Sequence, residues 1–223
     1  MTTESRTPPA APARTSAPDP ASAPAPAEPS GPTDRRTGAV LLVGGLVGAV
    51  FAVVLLLEKL ALLTDPAYVP SCSIDPVLSC GTIMRTAQAS AFGFPNPLIG
   101  VATFPVLAAV GALLLSGVEL PRWTWLATQF ATMLGLGFVL WLIGESLLVI
   151  HALCPYCMVV WVVVITVCWA VCTRNLAAGE MGGGAVAQTL VRRRGVVLAV
   201  VLLALVAALG VAFADHWASV LGL

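Results

Sequence analysis

The chain has 223 residues, of which 58% are hydrophobic and only 10% charged, with 11 basic and 11 acidic side chains and a mean hydropathy of +0.95. That composition excludes a soluble globular domain and points to a multi-span membrane protein in the lipid bilayer. A net charge of zero singles out no charged partner, and no nucleic-acid partner is expected.

Residues 1–37 hold nine of the seventeen prolines, interleaved with Ala, Ser and Thr. Such a segment cannot bury a core and is expected to be a disordered tail. The apolar run that follows, 38–63, is about twice as long as a signal-peptide core, so it is expected to remain as an uncleaved first span. Residues 64–97 form a polar, proline-punctuated loop. Further spans are expected at 98–117, 123–149, 154–173 and 195–214, each close to the ~20 residues that cross a bilayer core. A Gly/Arg loop at 174–194 precedes the fifth span, and a short tail ends the chain at Leu223. The expected fold is therefore an all-α integral membrane protein.

Orientation follows from the basic residues. With the N-terminus cytoplasmic, Arg6, Arg14, Arg35, Arg36, Arg122, Arg174, Arg192, Arg193 and Arg194 lie inside, against Lys59 and Arg85 outside. That bias fits the positive-inside rule and puts the C-terminus outside the cell membrane. The loop 64–97 and the junction before the fourth span then share the outer, oxidising face.

Two cysteine pairs share that face by this topology. Cys154-Pro155-Tyr156-Cys157 stands at the start of the fourth span. Cysteines three apart at a helix start share a face, and the helix N-terminus favours the reactive thiolate. Cys72 and Cys80 lie in the loop, where a staple or an exchanging disulfide would both be ordinary. A zinc site built from all four thiols is the competing chemistry. Cys168 and Cys172 lie far down the fourth span and are expected to be small apolar fillers. Glu58 and Lys59 are expected to snorkel to the interface as anchors. Glu145 is expected either to pair with another span or to relay protons. His151, beside the second pair, is expected either to be a plain interfacial histidine or to supply or take a proton.

Three runs of residues carry a resemblance: Cys72-Ser73-Ile74-Asp75-Pro76-Val77-Leu78-Ser79-Cys80-Gly81, Phe92-Gly93-Phe94-Pro95-Asn96-Pro97-Leu98-Ile99-Gly100, and Cys154-Pro155-Tyr156-Cys157. Their order resembles the vitamin K epoxide reductase family, its actinobacterial branch most closely, over residues 38–173. The resemblance implies a four-helix bundle around a quinone, with the outer loop and a short half-buried helix capping the site. It implies that Cys72 and Cys80 shuttle electrons to Cys154 and Cys157, next to the quinone, and that Asn96 bonds a quinone carbonyl. Thr86 stands where the family has a serine, and Trp161 where animal members have a tyrosine; both are expected at the cofactor. In bacterial members the electrons come from a periplasmic thioredoxin-like, DsbA-like protein. Many of those continue into a fused thioredoxin domain, so here a separate partner is expected, with menaquinone as the quinone. Three alternatives stay open: reduction of vitamin K epoxide by a thiol reductant, a non-catalytic metal-binding scaffold, and the unrelated four-helix quinone reductase of disulfide formation, in which the two cysteine pairs occur in reverse order.

Overall fold

A computed structural model describes residues 32–182, 184–214, 216 and 218. Residues 1–31, which make up most of the expected disordered tail, and most of 215–223 lie outside the described residues. Among the described residues there are seven α-helices: α1 (Pro32–Thr64), α2 (Cys80–Met84), α3 (Pro97–Leu115), α4 (Arg122–Glu145), α5 (Pro155–Ala177), α6 (Ala185–Arg192) and α7 (Arg194–Ala212). A 3₁₀ turn at Ala87–Ser90 follows α2, and a π-helical turn at Ser146–Ile150 ends α4. Five of the helices (α1, α3, α4 with its π turn, α5 and α7) are long and apolar enough to cross a membrane. Their exposed Val, Leu and Phe side chains are the surface that lipid covers.

The first helix starts six residues earlier than expected. Pro32 suits a first helical position, where its missing N–H costs nothing. Asp34 in the first turn complements the helix dipole and forms an ion pair with Arg174 at 2.9 Å. Those contacts draw 32–37 out of the tail and into α1. At 33 residues, α1 is about 50 Å long, well over the ~30 Å of hydrocarbon. Its last turns therefore rise into the cap above the bundle. The Gly/Arg segment 174–194 also departs from a plain loop, because Ala185–Arg192 are helical.

α1 packs along α3 and α5, and α5 packs along α4. The α1–α3 contact is backbone to backbone. A Cβ on Gly45 would fall 2.5 Å from Ala108 N, and one on Gly111 would fall 2.4 Å from Leu42 N. Only hydrogen side chains allow that approach, the usual device between membrane helices. No residue of α7 is buried, so it stands outside the four-helix bundle. Phe213, just after α7, is buried with Val139, Ile143, Leu153 and Trp161, which docks the end of α7 beneath the cap.

At the end away from the four cysteines, Arg174 stacks 3.6 Å over Trp125 and also meets Glu180 at 3.6 Å. Glu180 in turn pairs with Arg122 at 2.7 Å, tying α1, α4, α5 and the segment after α5 together.

Candidate active site

The cap is built from residues 65–96. Asp75 opens a tight turn by accepting from the N–H groups of Val77 and Leu78, both at 2.8 Å. The Leu78 N–H is the main cause holding the Asp75 carboxyl below the usual range. Partial burial opposes it, while the Val77 N–H and the charge of His216, 3.5 Å away, add to it. The turn delivers Val77–Ser79 alongside the chain that leaves α4. Leu153 N–H donates to Val77 O at 2.7 Å and Ser79 N–H donates to Leu153 O at 2.9 Å, a single parallel bridge. His151 makes the sharp reversal this requires: it has φ 54°, in the left-handed region, and stays exposed.

The bridge sets the sulfur geometry. One residue past Leu153 comes Cys154, and one past Ser79 comes Cys80. Their Sγ atoms lie 3.1 Å apart, both residues fully buried. Ser79 caps α2 by accepting from Thr82 N–H at 3.2 Å, so Cys80 enters a helix directly. Cys72 and Cys80 form a disulfide, while Cys154 and Cys157 are free. All three sulfurs of Cys72, Cys80 and Cys154 lie within 4.8 Å of one another. That spacing also suits a metal, but the disulfide withholds two of those three thiolates from a zinc site, which takes four ligands. Pro155 begins α5 and Cys154 is its N-cap, its sulfur accepting from Cys157 N–H at 3.2 Å.

Cys157 turns inward. It lines a cavity of about 180 Å³ between α1, α3, α4 and α5, walled by Phe104, Phe138, Val139 and Trp161. Polar groups enter it at Gln88, Asn96 and Glu145. Gln88 Nε2 donates to Glu145 Oε2 at 3.0 Å, so the carboxylate in α4 bonds to the cap. Asn96 Nδ2 donates to Gln88 O at 2.7 Å, and its Oδ1 accepts from Ala91 N–H at 3.1 Å. One Nδ2 proton of Asn96 remains beyond those bonds. Thr86 stands apart from the cavity lining, its hydroxyl donating to Ile83 O at 2.7 Å. Cys168 contacts Met133 Sδ at 3.8 Å and lies about 16 Å of helix beyond Cys157, among apolar neighbours.

Glu58 and Lys59 are not lipid-facing anchors. Each is 8% exposed, and both bind the cap. Glu58 accepts from Ser71 Oγ at 2.6 Å, Ser71 N–H at 3.3 Å and Tyr68 OH at 2.9 Å, while Lys59 Nζ donates to Met84 O. The length of α1 carries them past the lipid into the protein cap, where charged groups find donors and acceptors. The bond to Glu58 also holds the Tyr68 hydroxyl above the usual phenol range.

Gln88 and Ser71 are polar contributors that the sequence analysis did not single out, and Tyr156 lay inside the C-x-x-C run without a role assigned to it. Glu58 and Lys59 did carry a signal, as charges inside an apolar run.

The fold and site define a membrane helical bundle that brings a loop disulfide and a helix-cap dithiol together above an apolar, aromatic-walled cavity. The model of the vitamin K epoxide reductase family matches residues 39–172, and the chain belongs to that family. It is a multi-pass membrane protein, and its class acts on thiols and quinones. No curated protein matches the chain at a significant level.

Proposed function

We propose that this protein oxidises a thioredoxin-like, DsbA-like partner outside the cell membrane, with menaquinone as the electron acceptor. Its N-terminus is cytoplasmic and its cap faces outward, as the arginine distribution supports. The observation that carries this reading is the 3.1 Å contact of Cys80 Sγ with Cys154 Sγ, directly above the cavity that Cys157 lines.

The sulfur steps balance as follows. A thiolate of the reduced partner attacks Cys72, forming a mixed disulfide and releasing Cys80. The partner's second thiol resolves that bond, leaving the partner oxidised and Cys72 reduced. The Cys80 thiolate then attacks Cys154 of a Cys154–Cys157 disulfide, and Cys157 leaves. Cys72 attacks Cys80, restoring the loop disulfide and freeing Cys154. Two electrons and two protons have passed from the partner dithiol to Cys154 and Cys157. A loop disulfide beside free Cys154 and Cys157 is the redox state of this structure.

The residues of the cavity suit a quinone: aromatic side chains, a thiol and a few hydrogen-bonding groups. A quinone held there would supply the two-electron, two-proton acceptor, and Cys154 and Cys157 are the dithiol whose disulfide would re-form. Trp161 and Phe138 are the aromatic side chains assigned to pack against it, and the remaining Nδ2–H of Asn96 is the donor assigned to a carbonyl. The Glu145–Gln88 pair holds the cap closed over the cavity and excludes water. Thr86 contributes to the frame of the turn that carries Gln88.

The test is quinone reduction by the purified protein in nanodiscs, with a reduced thioredoxin-like disulfide-forming protein as donor and a soluble menaquinone analogue as acceptor. Alanine at Cys72, Cys80, Cys154 or Cys157 should abolish turnover. Full activity in Cys157→Ala would sink the scheme.

A further inference from the structure

The relay above leaves one step without a route. The partner must reach Cys72, yet Cys72 is 3% exposed and Cys80 is 0% exposed. The loop therefore has to present Cys72 outward and then return it.

The two halves of the loop are fastened differently. The Cys80 half is tied to the Cys154 segment by both backbone hydrogen bonds of the Leu78–Leu153 bridge. The Cys72 half has surface residues on both sides: Val69 is 71% exposed and Ile74 is 73% exposed. On its N-terminal side it is tied to α1 by Tyr68 and Ser71, which donate to the Glu58 carboxylate; on its C-terminal side Ser73 accepts from Gly81 N–H at 3.0 Å and Ile74 N–H donates to Leu78 O at 2.8 Å. Ser71 Oγ also lies 3.3 Å from Tyr156 OH, inside the Cys154–Cys157 motif. A buried carboxylate on α1 thus bonds the residue next to Cys72, and through it reaches the second cysteine pair.

We infer that Glu58 is a positioning residue that latches the Cys72 segment, closed for sulfur exchange with Cys154 and released for attack by the partner. The inference rests on the relay reading above. Cys80 stays docked through the bridge in both states and the disulfide keeps Cys72 one bond from it, so release uncovers the Cys72 sulfur without carrying it away. Hydrogen bonds to a charged acceptor are the strong kind, and losing one partner of such a set shifts a local equilibrium by about tenfold to a hundredfold.

The test reads two rates with opposite expected signs in the full-length protein. The first is reduction of the Cys72–Cys80 disulfide by a soluble phosphine, followed by alkylation and mass spectrometry. The second is formation of the Cys80–Cys154 disulfide in a Cys157→Ser background. Glu58→Gln should speed the first about tenfold or more and slow the second by a similar factor. Ser71→Ala keeps the backbone N–H bond, and Tyr68→Phe keeps both Ser71 bonds. Both should shift the rates in the same directions by less, and they carry the test if Glu58→Gln fails to fold. Unchanged rates, or a fall in both, overturn the latch and leave Glu58 a purely structural residue. Opposite shifts in a protein that passes no electrons to the menaquinone analogue sustain the latch and overturn the relay reading instead.

Discussion

Replacing Cys157 with serine isolates the inter-pair step. The variant keeps the backbone N–H that bonds Cys154 Sγ, and it leaves Cys154 as a lone thiol beside the loop disulfide. Cys80 Sγ is the sulfur 3.1 Å away, inside the ~3–3.5 Å range of reacting atoms held for attack. Well-oriented groups react with effective molarities of about 10⁵ M or more. Even a thousandth of that, about 100 M, exceeds a small competing thiol at about 10 mM by roughly 10⁴. Cys154 should therefore displace Cys72 from Cys80, and the small thiol should not compete. The fully buried Cys154 resists alkylation, whereas a displaced Cys72 can turn outward, so a maleimide should drain the population into a Cys80–Cys154 disulfide with alkylated Cys72. The assay is peptide mapping by mass spectrometry with Cys168 and Cys172 changed to alanine. A peptide joining Cys154 to Cys72, or an intact loop disulfide with alkylated Cys154, would refute the geometry.

Three further outcomes are expected. Leu153→Pro removes the N–H that donates to Val77 O and should cost about 1–3 kcal/mol at the bridge, read as a roughly fivefold to hundredfold slower Cys80–Cys154 exchange with helix content retained. Gly45→Leu places a Cβ 2.5 Å from Ala108 N, so α1 and α3 must separate; a loss of about 1–3 kcal/mol should appear as a lower Tm in detergent. The carboxyl of Asp75 titrates lower in the folded turn than in an unfolded chain. Its contribution is therefore complete above the ordinary carboxylate value of about 3.9 and is lost as pH falls through the lower folded value. Phosphine reduction of the loop disulfide should accelerate over that acid range in the native protein, and Asp75→Asn should flatten the dependence.

Much of this architecture was legible in the residues because a bilayer makes simple demands. A segment either has about twenty apolar residues or it does not cross, so five spans could be read from the chain. Their ends were less legible, because caps and ion pairs set them: Asp34 with Arg174 draws α1 back to Pro32, and Ala185–Arg192 form a helix where glycine and arginine suggested a loop. The site divides the same way. Cysteine spacing marked both pairs, since thiol exchange needs sulfurs and little else. The Glu58 contacts were misread because local sequence gives depth in a bilayer only, not what folds over it. Gln88 and Ser71 had no signal, being ordinary polar residues made special by what they face, and the C-x-x-C run that holds Tyr156 gave no role for its hydroxyl.

By itself, then, the sequence determined the membrane class and the span count and marked four cysteines as candidates, because hydropathy and thiol chemistry are properties of residues taken alone. Which sulfur meets which was decided only in three dimensions. The contact of Cys80 with Cys154 joins positions 74 residues apart through two backbone hydrogen bonds at Leu153, and backbone groups are the same whatever the side chain. The cavity under Cys157 and the grip of Glu58 on Ser71 belong to the packing of helices that no local pattern encodes.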